Sequence, residues 1–305
     1  MRDESERYIW LNKELVHVND AKINVLSPTS QFGANVFEGI RCYYNDLTGK
    51  LYAFRLTDHF DRLKNSIKLF RIDNPFPETE WLDYIREVVR INQYQEDIAL
   101  RMTVFVDGFG TWTSKTPAGM FIAPIPKSRK EIPLTKGISG CISSWRRISD
   151  NTLSPHIKVG ANYINSRYAQ LEAQQNGYGT AIFLNEFGKV AEGPGSCLFI
   201  VKNGVLVSPP LSASILDSIT RKTLISLAED NNIAVEIRDI DRTELYTADE
   251  VFLCGSAAEI TPIINIDGYE ISNGEVGEYS RLLHKEYIDS TIGGNLKHLD
   301  WITEI

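Results

Sequence analysis

Pro155-His156-Ile157-Lys158-Val159-Gly160-Ala161-Asn162-Tyr163 sets one lysine in a mostly uncharged stretch that runs straight into a helical pattern. A lysine so placed can be desolvated, which favours the neutral amine and lets it form a Schiff base. The same spacing also suits a surface lysine in a loop. Downstream, helices are expected at about 162–176, 220–231 and 276–290, with short strands at 180–184, 197–201, 205–207, 234–237 and 251–254. Strands and helices mix without strict alternation, so the fold class is α+β and not a Rossmann sheet. No G-x-G-x-x-G or P-loop follows any strand, so nucleotide-binding motifs are absent.

Upstream of the lysine, a strand is expected at 139–145, and before it lies Pro124-Ile125-Pro126-Lys127-Ser128-Arg129-Lys130-Glu131-Ile132-Pro133. This stretch is proline-rich and charged, as a linker should be. The first third opens on a hairpin, Tyr8–Leu11 and 14–16, turning at Asn12-Lys13. A strand at 51–55 feeds a helix for which Thr57 is the expected N-cap, with Phe60, Leu63, Ile67 and Phe70 at helical spacing. A second helix is expected at about 80–91. Residues 98–106 alternate as a strand, with Arg101 on the face opposite Leu100, Met102 and Val104. At 305 residues the chain exceeds what one core holds, since cores stop growing at roughly 250–300 residues. The expected division is a lobe at 1–123, a linker at 124–136 and a lobe at 137–305.

Composition narrows the partners. Hydrophobic residues at 43% and charged residues at 24% exclude a disordered, collagenous or coiled-coil chain. Forty acidic against 32 basic residues, a net charge of −8, argue against nucleic acid or an anionic membrane surface. No apolar run reaches the roughly 18 residues of a membrane helix, and Met1-Arg2-Asp3-Glu4-Ser5-Glu6-Arg7 lacks an apolar leader. Cys42, Cys141, Cys197 and Cys254 are scattered, as in a reduced, cytoplasmic protein. The five histidines show no metal spacing, so no metal site is expected.

Three further pieces could carry chemistry. Ala191-Glu192-Gly193-Pro194-Gly195 sets a carboxylate among small, turn-forming residues, though an ordinary turn glutamate fits as well. Leu216-Asp217-Ser218-Ile219-Thr220-Arg221 reads as a cap and helix start, whose free N–H groups can hold an anion. Nearly every helix offers as much. Cys254-Gly255-Ser256-Ala257-Ala258-Glu259 is a small-residue turn that offers backbone donors and a hydroxyl, or merely turns the chain.

The order of the pieces carries a resemblance. Phe32-Gly33-Ala34-Asn35-Val36-Phe37-Glu38-Gly39-Ile40-Arg41, His59-Phe60-Asp61-Arg62-Leu63, the Lys158 to Tyr163 stretch, Ala191-Glu192-Gly193, Ile219-Thr220-Arg221 and Gly255-Ser256-Ala257-Ala258-Glu259-Ile260-Thr261-Pro262 span almost the whole chain. Together they resemble the class IV, fold-type IV pyridoxal-phosphate aminotransferases, and among these the branched-chain amino acid aminotransferases. The resemblance implies a two-lobed α+β fold of the D-amino acid aminotransferase type, with a small N-terminal α/β lobe and a larger C-terminal lobe. It implies pyridoxal 5′-phosphate as cofactor, an amino acid and a 2-oxo acid as substrates, and at least a homodimer. The implied reaction moves the amino group of a branched-chain L-amino acid to 2-oxoglutarate in two half-reactions.

The resemblance also assigns roles. Lys158 would hold the cofactor as a Schiff base and then move a proton between the substrate α-carbon and the cofactor C4′. Glu192 would pair with the pyridine nitrogen and keep the ring an electron sink. Tyr163 would hydrogen-bond the phenolate oxygen, completing the catalytic set. Arg62 would clamp the phosphate as a fork of donors. The N–H groups of Ile219 and Thr220 and the Ser256 hydroxyl would complete the phosphate cup, and Leu216 joins the cofactor-binding set. Phe37, Gly39, Arg101, Ser256 and the Ala257 backbone would shape the substrate side.

Six positions depart from the family pattern. Phe32 stands where tyrosine is usual, and Ala99 where a second substrate-facing tyrosine is common. Lys127, Arg129 and Lys130 replace aromatic linker residues that usually close the apolar pocket. Cys197 replaces an asparagine. A specialised biosynthetic transaminase for a bulkier or more polar amino acid therefore stays open, as do a D-amino acid aminotransferase and a 4-amino-4-deoxychorismate lyase of the same fold. From another class, a non-catalytic binding protein stays open too, although Lys158, Tyr163 and Glu192 are all present. Trp145-Arg146-Arg147 reads as strand packing with solvated charge.

Overall fold

The computed structural model describes residues 6–130 and 134–305. Part of the expected linker, residues 131–133, and the first five residues of the charged start lie outside the described residues. The chain divides into two units, one of Met1–Arg129, Ile157–Ala161 and Ser290–Ile305, the other of Lys130–His156 and Asn162–Asp289. Two stretches thus depart from the lobes expected at 1–123 and 137–305. The lysine pentapeptide and the C-terminal segment both belong with the first unit. Each is held there by non-local backbone pairing, which sequence spacing does not reveal.

The first unit is built on a seven-stranded antiparallel sheet. Its strands are β1 (Tyr8–Leu11), β2 (Glu14–His17), β3 (Asn35–Asn45), β4 (Lys50–Phe54), β5 (Ile98–Val106), β6 (Ala118–Pro126) and a C-terminal strand, Ile302–Glu304. The order runs from the C-terminal strand through β4, β3, β5, β6 and β1 to β2. Three helices accompany it, α1 (Pro28–Phe32), α2 (Leu56–Phe70) and α3 (Trp81–Asn92). Leu63 and Ile67 of α2 and Ile85 and Val88 of α3 share one core with Val36, Ile40, Leu100, Met102 and Ile122. Each such fully buried aliphatic side chain contributes about 1.5–3 kcal/mol.

Three local features depart from the periodicity reading. β3 shows no clean alternation because residues of both its faces are buried, which hides a strand in the sequence. β6 runs into the expected linker as far as Pro126. Its prolines are tolerated because β1 pairs only with Phe121 and Ile122, leaving that side of the strand open beyond them. Helix α2 begins at Leu56, with Arg55 and not Thr57 as its N-cap. Arg55 takes a left-handed conformation, donates its N–H to the Trp301 carbonyl at 2.6 Å and pairs with Asp58 at 2.7 Å, and these contacts fix the start.

The second unit holds β7 (Ile138–Arg146), β8 (Thr180–Leu184), β9 (Cys197–Lys202), β10 (Val205–Ser208), β11 (Val235–Ile237), β12 (Glu250–Gly255), β13 (Glu259–Ile266) and the short β14 (Tyr269–Glu270). The main path runs β11-β10-β9-β12-β13-β7-β8, and β14 pairs with β13. The β11–β10, β13–β7 and β7–β8 pairs are parallel and the rest antiparallel. Its helices are α4 (Tyr163–Gln175), α5 (Ile219–Asp230), α6 (Arg242–Tyr246) and α7 (Glu278–Thr291). The mixture of pairings fits α+β. Helix α7 buries His284 completely, with no hydrogen-bond partner for either ring nitrogen among the described residues. No helix among the described residues is long and apolar enough to cross a membrane.

Candidate active site

In the first unit the lysine segment continues the edge of β3. β4 pairs only with Cys42–Asn45, so the edge near Val36 is taken by Val159 instead. The Phe37 N–H donates to the Lys158 carbonyl at 3.0 Å, and the Lys158 N–H donates to the Ser66 hydroxyl at 3.1 Å. Gly160 permits this approach, since a Cβ there would lie 2.4 Å from Asn35 Oδ1. Gly33, at φ +68°, caps α1, and a Cβ there would stand 3.2 Å from the Ala161 Cβ. The Lys158 side chain is half-buried, its Nζ 5.0 Å from the centre of the Phe37 ring.

The same ring carries the Arg101 guanidinium, 4.2 Å from its centre. Gly39 pairs with Arg101 across β3 and β5, and nothing lies within 4 Å of where a Gly39 Cβ would stand. Phe37, Gly39 and Arg101 thus occupy one face of the sheet, next to the lysine, with room above the glycine. Phe32 is exposed and packs edge-on against Trp112, and Ala99 lies opposite Arg41.

The opposite face of β3 carries Glu38, fully buried beneath α2. Its carboxylate accepts from Arg62 Nε and Nη2, each at 2.7 Å, and lies 2.7 Å from His59 Nδ1. Burial alone would raise the Glu38 carboxyl; Arg62 and then His59 outweigh it and hold the group well below the usual carboxylate range. Burial pushes the His59 ring below its ordinary value, Glu38 opposes, and Arg62 and Lys158 add to the lowering. The Arg62 side chain is largely buried and is not a solvent-facing arginine.

In the second unit Glu192 is buried at the turn before β9. Arg147 Nε donates to its Oε1 at 2.8 Å, and the Leu216 N–H donates to its Oε2 at 3.1 Å. The Cys197 thiol lies 3.7 Å from Oε2 and 3.5 Å from the Leu216 carbonyl. Burial, then the Glu192 charge, pushes that thiol well above its ordinary pKa, so it stays protonated. Leu216 therefore spends its N–H on Glu192. Ser218 caps α5 by accepting from the Arg221 N–H at 3.2 Å. The Ile219 and Thr220 N–H groups, at the first two helical positions, have no acceptor within the helix.

Ser256 and Ala257 lie in the turn that follows β12, at the sheet end where β9 begins. A Cβ on Gly255 would stand 3.5 Å from the Gly195 carbonyl, so this turn lies against the Glu192 turn. The half-buried Tyr163 ring flanks the same turn, 4.0 Å from where a Gly195 Cβ would be. One end of this unit thus gathers a buried carboxylate, a phenol, a hydroxyl and a helix N-terminus. Such a set can receive a protonated ring nitrogen and an anion.

Residues 35–266 match the family model described as amino-transferase class IV. The chain belongs to that family. The branched-chain-amino-acid aminotransferase of Escherichia coli (strain K12) is 35% identical over 311 residues, covering 100% of this chain and 99% of the relative. Two solved structures are similar along nearly the whole length. That of the branched-chain amino acid aminotransferase from Thermobaculum terrenum in its PLP form has 40% identity, a TM-score of 0.92 and 99% coverage of both chains. That of the branched-chain aminotransferase from the thermophilic archaeon Thermoproteus uzoniensis with norvaline has 39% identity and a TM-score of 0.91, covering 98% of this chain and 99% of that one. The two-lobed, fold-type IV architecture implied by the motifs is the architecture these neighbours share.

Within this class IV aminotransferase, sequence reasoning missed several residues. Arg147, read as solvated charge, is buried against Glu192. Glu38 stands out in the sequence only as part of a motif, and Ser66 not at all. Arg129 and Lys130, read as pocket-altering charges, are tied down instead. Arg129 forks onto Asp97 with two 2.6 Å contacts, while the Lys130 N–H donates to Glu259 at 2.7 Å and its amine reaches Thr261. Apolar residues on both sides of a lone charge, as in Val36-Phe37-Glu38-Gly39-Ile40, were the signal that could have found the Glu38 pair beside the motif.

Proposed function

We propose that this aminotransferase is pyridoxal-phosphate-dependent, exchanges amino groups between branched-chain L-amino acids and 2-oxoglutarate, and works as a cytoplasmic homodimer. The observation that carries the reading is the buried Glu192 carboxylate, held by Arg147 and Leu216 within a chain that matches branched-chain enzymes from end to end. The donor set fits the cofactor. The first unit holds an amine and a guanidinium, and the second gathers a carboxylate, a phenol and a helix N-terminus. When bound, the cofactor supplies an aldehyde for the amino group and a ring that takes up the electron pair left at the α-carbon.

The residues then act as follows. With the cofactor held, the Lys158 amine would take the proton from the substrate α-carbon and pass it to the cofactor C4′, and would run the same transfer in reverse in the second half-reaction. Glu192 holds the proton on the ring nitrogen. Tyr163 donates to the phenolate oxygen. Arg62, the Ile219 and Thr220 N–H groups and the Ser256 hydroxyl hold the phosphate, with Leu216 supporting Glu192. Phe37 and Gly39 leave apolar room, and Arg101 offers a cation to a substrate carboxylate. With Arg129 and Lys130 engaged elsewhere, the case for a polar or bulkier donor rests on Phe32, Ala99 and Lys127.

Four free, buried cysteines suit a reducing compartment. Exposed Val25, Phe109 and Trp112 support a partner subunit, which light scattering would register as twice the chain mass. The reaction is tested by single-turnover mixing with a panel of amino donors, following the bound cofactor's visible absorption. L-leucine, L-isoleucine, L-valine and L-glutamate should react and D-alanine should not. Preference for a D-amino acid, or turnover retained by Lys158→Ala, would overturn the reading.

A further inference from the structure

The lysine proposed to do the chemistry sits on a pentapeptide that joins the first unit, although its chain neighbours on both sides belong to the second. What holds that pentapeptide is therefore what aims the amine. Its backbone is fixed by the Val36–Val159 bridge, by the Phe37 N–H on the Lys158 carbonyl, and by the Ser66 hydroxyl on the Lys158 N–H at 3.1 Å. Ser66 is 1% exposed, so water does not replace it as an acceptor. It lies four residues after Arg62, one turn further along the same side of α2.

We infer that Ser66 is a positioning residue for Lys158. Resting on the proposed roles of Lys158 and Arg62, this means that one helix fixes both the guanidinium and the backbone of the reacting lysine. The spacing between the two is thereby set by a rigid element and not by a loop. Displacing a reacting group by an ångström can slow a reaction about a hundred-fold. Loss of one backbone anchor among three should cost less, on the order of ten-fold.

The test uses the holoenzyme and the variants Ser66→Ala and Ser66→Thr. Ser66→Ala should bind pyridoxal phosphate within about twofold of wild type, yet slow the first half-reaction roughly ten-fold, with KM nearly unchanged. Its rate should become more sensitive to deuterium at the substrate α-carbon, because the step that needs the misplaced amine becomes limiting. Trapping of the covalent adduct by borohydride should slow in parallel, a readout independent of turnover. Ser66→Thr keeps the acceptor oxygen and should recover most of the rate. Equal slowing in both variants, or a rate within twofold of wild type in Ser66→Ala, overturns the inference. Should Ser66→Ala fail to fold, the isosteric Ser66→Cys, a poor acceptor, gives the same comparison. A Lys158→Ala enzyme that still turns over would instead overturn the underlying reading, so the two failures are distinguishable.

Discussion

Each unit buries one glutamate against one arginine, and the two pairs are finished to different degrees. Glu38 receives both forks of Arg62 and the His59 ring, all at 2.7 Å, and is completely enclosed. Glu192 receives a single guanidinium nitrogen at 2.8 Å, a backbone N–H at 3.1 Å and a weak thiol at 3.7 Å. Each carboxylate meets three donors against about four acceptor sites, but those on the first are short and mostly charged, while two of those on the second are longer and weaker. Chemistry that looks alike on paper thus divides into a carboxylate held by short, charged donors and one held by longer, mostly neutral ones. Their burial is almost the same; the quality of their donors separates them.

The largest expected effect tests the unfinished pair. Glu192→Gln should keep the cofactor bound and slow α-proton removal by about 10²–10⁴-fold, measured in the isolated half-reaction. Rates equal to wild type would reduce Glu192 to a structural residue and erase the contrast. Glu38→Gln should instead act on stability. It leaves Arg62 largely buried without its counter-charge, at a cost of about 3–5 kcal/mol in denaturant unfolding. Replacing Glu38 and Arg62 together by apolar residues should restore most of that loss, whereas a single change costing nothing would show the pair to be idle.

His284 sharpens the comparison from the other side, being buried with no hydrogen-bond partner among the described residues. Burial, with the nearby Lys130 charge, pushes its pKa down to about 4. The ring is neutral in the folded state, so stability is intact above the unfolded value near 6.5. It is lost as the pH falls from there towards 4, where the unfolded state binds the extra proton. The full loss is roughly 3 kcal/mol. His284→Leu should flatten the stability profile across that window; an unchanged slope would place the acid sensitivity elsewhere. The smallest effect belongs to Cys197→Ser, which exchanges one weak donor on Glu192 for a better one. A change of about 1 kcal/mol, or up to roughly fivefold in the half-reaction rate, is expected. A hundred-fold change would mean that the thiol, not Arg147, governs the carboxylate.

Much of this was legible in the residues. Strand β5 stands at the bounds its alternation gave, and the β1–β2 hairpin turns at Asn12 and Lys13 as its polar pair suggested. Both owe their legibility to local pattern. β3 was not legible as a strand, because burial on both faces erased the alternation. The family motifs named Lys158 and Glu192, but not Ser66 or Arg147. Those two act through contacts separated by 92 and 45 residues, and no local pattern encodes such distances. The charges of Arg129 and Lys130 misled for the same reason, since their partners, Asp97 and the 259–261 stretch, are remote in sequence.

The pairing of Ile302–Glu304 with β4 carries a consequence for how the chain is made. A ribosome releases β4 long before the strand that covers it, about 250 residues later, which at roughly 5–20 residues per second means ten seconds to a minute. Throughout that interval β4 presents an unpaired row of N–H and C=O groups, the kind of template on which neighbouring nascent chains pair. Lys158 is likewise delivered to its sheet only after β3, β5 and β6 are already synthesised. The first unit is therefore completed last, and its outer sheet edge stays open longest during synthesis.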